Sequence, residues 1–115
     1  QGAQVEQKQI DPQVSLEAMH QTGPKLAKAK AERVYMEEYR KSLKALLMKA
    51  SDSQSAAMQE RDAYAHQDYL DHLAALKAAV EQEEALRWRM VTAQAAVEIW
   101  RSQEASNRGM DRGTR

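Results

Sequence analysis

Apolar residues recur three and four positions apart over residues 68–107 (DYLDHLAALKAAVEQEEALRWRMVTAQAAVEIWRSQEASN), forty residues without Gly or Pro. Tyr69, His72, Leu76, Ala79, Glu83, Leu86, Met90, Ala93, Val97 and Trp100 keep the a/d rhythm of a helix seam. Continuous helix over this stretch would extend about 60 Å at roughly 1.5 Å per residue. Leu73 and Val80 widen the stripe, which suits a bundle better than a two-stranded coiled coil. Glu83 interrupts the apolar seam. It either pairs with Arg87 one turn on, the preferred reading, or reaches a neighbouring helix and fixes register. Asp68 is the expected N-cap, with Asp71 in the first turn. Asn107 and Gly109 are the expected stop, and the tail 109–115 is expected to fray.

Earlier in the chain the pattern is shorter. Residues 1–10 are Gln-rich and without period, so an arm is expected there. Asp11-Pro12 reads as a cap and first helical residue for a short helix over 13–21, closed by Thr22-Gly23. Pro24 then opens a helix to about Ala50. Its expected packing face is Ala27, Ala31, Tyr35, Tyr39, Leu43, Leu46 and Ala50, flanked by Val34 and Leu47. Ser51-Asp52-Ser53 breaks that helix, Ser53 or Ser55 caps a third one through Ala65, and His66-Gln67 links it to the long helix. The expected fold is therefore all-α: an elongated antiparallel helical hairpin or bundle with one very long C-terminal helix. The expected organisation is an arm over 1–23, a hairpin domain over 24–109 and a frayed tail over 110–115. A lone hairpin leaves one side of the long helix short of cover, so oligomerisation, most simply a dimer, is expected to complete it. Leu76, Leu86, Met90, Val97 and Trp100 are the seam residues that would carry core or oligomer contacts.

Composition narrows the class. There is no Phe and no Cys, 30% of residues are charged, and Gly plus Pro total six (four and two). Without Cys a disulfide framework and thiolate zinc sites are excluded, which fits a reducing, cytoplasmic setting. No apolar run is long enough to span a membrane. No leader pattern is read, and the chain opens on Gln1 rather than Met.

The formal net charge of zero conceals segregation. Residues 24–50 hold eight basic and three acidic side chains, and residues 51–86 hold two and eight. Two readings stay open: the basic helix lies beside the acidic stretch and is neutralised, or the basic surface meets nucleic acid. For the second, Lys25, Lys28, Lys41 and Lys44 would track phosphates. Trp88 between Arg87 and Arg89 would stack on a base. Trp88 falls outside the seam, and burial against another protein explains it better. Trp100, inside the seam, reads as core.

Catalytic patterns are missing. No phosphate loop, GxSxG, HExxH or Ser/His/Asp arrangement occurs, so no enzyme, catalytic residue or cofactor is expected. His66, Asp68 and His72 with Asp62 are a weak metal grouping and read better as a solvated face, so no metal is expected.

Three blocks carry a resemblance: QERDAYA over 59–65, EALRW over 84–88 and EIWRSQEASNR over 98–108. Over about 29–109 the chain resembles small helical proteins encoded in phages and prophages and left without assigned function. The resemblance implies a non-enzymatic accessory role through protein–protein contacts, beside DNA replication or recombination proteins, in the host cytoplasm. The alternative is a structural assembly factor with no nucleic-acid contact. It transfers no catalytic residue.

Overall fold

The computed structural model describes residues 9–113, so the expectation of an arm over 1–10 falls almost wholly outside them. Three helices follow in order: α1 (Pro12–Ala50), α2 (Ala56–Ala65) and α3 (Gln67–Gly113). The fold class is all-α, a helical hairpin with a very long C-terminal helix, as the periodicity predicts. α3 has 47 residues, which makes it about 70 Å long at the usual rise.

Local chemistry sets most of the helix starts. Asp11 caps α1, its Oδ1 accepting the Gln13 N–H at 2.9 Å, and Pro12 takes the first helical position. Ser55 caps α2 by accepting the Met58 N–H at 3.1 Å. The start of α3 departs from expectation. His66, not Asp68, precedes the helix, and its Nδ1 accepts the Asp68 N–H at 3.0 Å. Asp68 lies in the first turn, where its charge still suits the positive end of the dipole.

α1 does not stop at Thr22-Gly23. It runs as one helix through Gly23 and Pro24 to Ala50. Thr22 is only 4% exposed, and a Cβ on Gly23 would lie 3.7 Å from the Met90 methyl carbon. Packing against α3 thus holds a segment that local propensity would break. α3 likewise passes Asn107 and Gly109 and ends at Gly113. No glycine among the described residues has positive φ, so Gly109 makes no left-handed cap.

The described chain forms two compact units, residues up to Pro24 with those from Arg87, and Lys25–Leu86. In the second unit α1 and α3 run antiparallel: Arg33 bonds Glu83, and the Tyr39 ring lies 5.6 Å from that of His72. The α3 seam stands as read. Tyr69 and Leu86 are buried, while His72, Leu76, Ala79 and Glu83 are half-buried. In the other unit Ala93 is buried, and Met90, Val97 and Trp100 are half-buried. Leu73 and Val80 stay exposed, so the stripe is narrower than expected.

The packing face of α1 is a different one from that expected. Leu26, Ala29, Arg33, Met36, Leu43 and Leu47 turn inward. Ala27, Ala31, Tyr35, Tyr39, Leu46 and Ala50 remain exposed. Glu83 explains the choice. Its carboxylate selects Arg33 on α1 as partner across the seam, the inter-helix alternative for this residue. Arg33 also bonds Glu37 at 3.1 Å. Placing Arg33 inward turns the aromatic stripe outward, because residues two positions apart do not share a helix face.

Candidate interaction surface

Two flanks of the Lys25–Leu86 unit differ in cover. On the first, α2 turns back over the hairpin. Ser51 and Ser53 hydroxyls donate to Asp62 Oδ2 at 2.7 and 2.5 Å, and Gln59 Nε2 donates to the Ser53 carbonyl at 2.9 Å. The hydroxyls, Ser53 first, hold the Asp62 carboxyl below the ordinary range, because they stabilise its charged form. This clasp places Tyr64 edge-on to Tyr69, with ring centres 5.2 Å apart.

Beside that pair, Arg40, Lys41, Lys44 and Met48 line a cleft of about 640 Å³ with the two tyrosines. Lys44 Nζ sits 4.8 Å over the Tyr64 ring and 3.4 Å from Glu60. Its bond to the Tyr64 hydroxyl, then Glu60, pushes the ammonium above its ordinary range. Lys41 pairs with Glu38 at 3.3 Å on the open surface. Arg33 and Lys44 thus both reach acidic residues of the 51–86 stretch, as internal neutralisation requires. Such a cleft can hold an anionic group through Arg40 and offer the exposed Tyr64 ring for stacking.

The second flank has no such cover. Tyr35 is 68% exposed and Leu46 56%, and the Tyr35 and Tyr39 rings stack 6.1 Å apart. His72 Nε2–H donates to the Met36 carbonyl at 2.7 Å and fixes Tyr39 beside it.

The residues expected to follow phosphates are divided between the two units. Lys41 and Lys44 meet in the cleft. Lys28 borders a shallow depression with Ala31, Glu32 and Tyr35, and Lys25 is exposed. Arg87, Trp88 and Arg89 belong to the other unit, where Trp88 is 61% exposed. The spacing of Arg40 and Lys44, four apart on a basic helix, could have singled out the cleft from sequence. Tyr64 and Tyr69 could not, since they reach it only through the return of α2. The metal grouping does not assemble: His66 lies 3.9 Å from Asp68, His72 bonds Met36, and Asp62 is taken by serines. Among the described residues no three His, Cys, Asp or Glu side chains are placed to share an ion, and no helix is long and apolar enough to cross a membrane.

The chain matches no protein-family model, no curated protein and no solved structure.

Proposed function

We propose that this protein is a non-enzymatic helical interaction module that works through protein–protein contacts, itself included. The observation that carries the reading is the exposure of large apolar side chains along continuous helices, above all Tyr35, Leu46 and Trp88. Exposed apolar stripes of this kind mark protein contacts. The resemblance to small phage-encoded helical proteins supplies a setting, an accessory role beside DNA-processing proteins in a host cell.

A second reading rests on the cleft. Arg40, Lys41, Lys44 and Tyr64 would take single-stranded nucleic acid by phosphate contact and stacking. The neutral net charge weighs against it, as do the carboxylates beside Lys41 and Lys44.

Light scattering at tens of micromolar and oligonucleotide anisotropy at about 50 and 200 mM salt separate the two. A mass above the 13.0 kDa chain without oligonucleotide binding supports the module. A monomer that binds the oligonucleotide and releases it at the higher salt replaces it with the nucleic-acid reading. Trp88→Ala should change stability by less than about 0.5 kcal/mol, as for an exposed site.

A further inference from the structure

From the uncovered flank of the Lys25–Leu86 unit we infer a homodimer interface in which the aromatic stripe of α1 seats on the alanine stripe of α3 of a second copy; this rests on the module reading. Tyr69 turns to the flank that α2 and Lys44 occupy. Residues on the other side of His72 therefore share the flank of Tyr39. At 100° per residue those are Asp71, Ala75, Ala78 and Gln82, with the two alanines in the middle. The flank thus sets a ridge of large side chains, Tyr35, Tyr39 and Leu46, beside a trough of small ones.

Ridge and trough on one face are self-complementary, which is what a two-fold interface requires. An axis parallel to the helices lays α1 of each copy antiparallel on α3 of the other. Tyr35 and Tyr39 then fall at the level of Ala75 and Ala78 of the second copy. The same operation sets Lys49, in the last turn of α1, just before the start of α3, from where its long side chain can reach Asp68. Charge and helix dipoles are complementary there. Lys49 has no ion-pair partner among the described residues.

The area suffices. From Lys28 to Lys49 the stripe is about 32 Å long, and two helices are about 20 Å wide. The projected face is roughly 600 Å², close to the ~800 Å² that each partner contributes to a standard interface.

The test is sedimentation equilibrium of the full chain and two variants, Tyr35→Lys/Leu46→Lys and Ala78→Trp. All three positions are exposed, so circular dichroism should show unchanged helix in each. The wild type is expected at twice 13.0 kDa, with both variants weakened roughly tenfold or more, as for central interface residues. A dimer that neither variant weakens overturns this interface and leaves self-association through another face, such as that of Trp88. A monomeric wild type at tens of micromolar overturns the homodimer itself, while the module reading then stands or falls on the oligonucleotide result.

Discussion

Arg33 shows how one polar residue can fix a helix register. Its guanidinium lies between Glu83 and Glu37, and these carboxylates, Glu83 first, strengthen its hold on the proton. Removing only the cation leaves the half-buried Glu83 carboxylate without it, whereas replacing both ends removes the desolvation problem as well. Arg33→Met should therefore cost more stability in urea than Arg33→Met combined with Glu83→Leu. A double variant that loses the sum of both single losses would show no coupling and defeat the argument. Asp62 gives a second residue-scale expectation. Its folded pKa lies below the unfolded value of about 3.9, because Ser53 and then Ser51 donate to it. The stability it adds is fully present above about pH 4 and is lost as pH falls through the folded pKa. Asp62→Asn should flatten the acid limb of the stability profile below about pH 4. An unchanged limb would place the acid sensitivity elsewhere.

Helices reveal where local sequence signals mislead. Thr22-Gly23-Pro24 carries the composition of a break, yet α1 passes through it with Thr22 buried. Pro24 cannot donate to the His20 carbonyl, and Gly23 carries the entropic cost of its freedom. Both penalties are borne without a left-handed backbone to justify the glycine. Gly23→Ala should thus stabilise by about 0.5–1 kcal/mol, its methyl meeting Met90 at ordinary contact distance. Pro24→Ala should stabilise by up to about 3 kcal/mol. Thermal unfolding measures both, and a fall in melting temperature for either would mean that the interruption is needed. The α3 seam was legible from its spacing because nearly every large residue in it is apolar and packs. The α1 face was not, because two stripes compete with similar numbers of large apolar residues: Leu26, Met36, Leu43 and Leu47 pack, while Tyr35, Tyr39 and Leu46 stay exposed. The packed stripe also contains Arg33, a charged residue that leaves the other stripe the more uniformly apolar of the two. The cross-helix ion pair adds to the apolar packing on that face, and the sequence pattern does not show which carboxylate Arg33 will meet. The cleft was half legible for the same reason: its basic residues share a helix, while its tyrosines arrive from α2 and α3.

At the scale of the molecule the interior is thin. Among the described residues the buried apolar side chains are Ala63, Tyr69, Leu86 and Ala93, and two of these are alanines. Hydrophobic stabilisation follows the apolar area removed from water, so a chain that leaves Tyr35, Leu46 and Trp88 exposed forgoes much of it. Association restores that term by mass action. A partner that binds only the folded state adds about 2.7 kcal/mol at a hundredfold excess over its dissociation constant. The melting temperature should consequently rise by several degrees between about 1 and 100 µM protein, since each kcal/mol moves it by about 4 °C in a domain of this size. Ala78→Trp leaves the monomer intact but obstructs the inferred interface, so it should abolish the rise and keep the low-concentration value. Differential scanning fluorimetry across that range reads both effects. A melting temperature independent of concentration in the wild type would mean that the exposed stripes add nothing to stability through self-association.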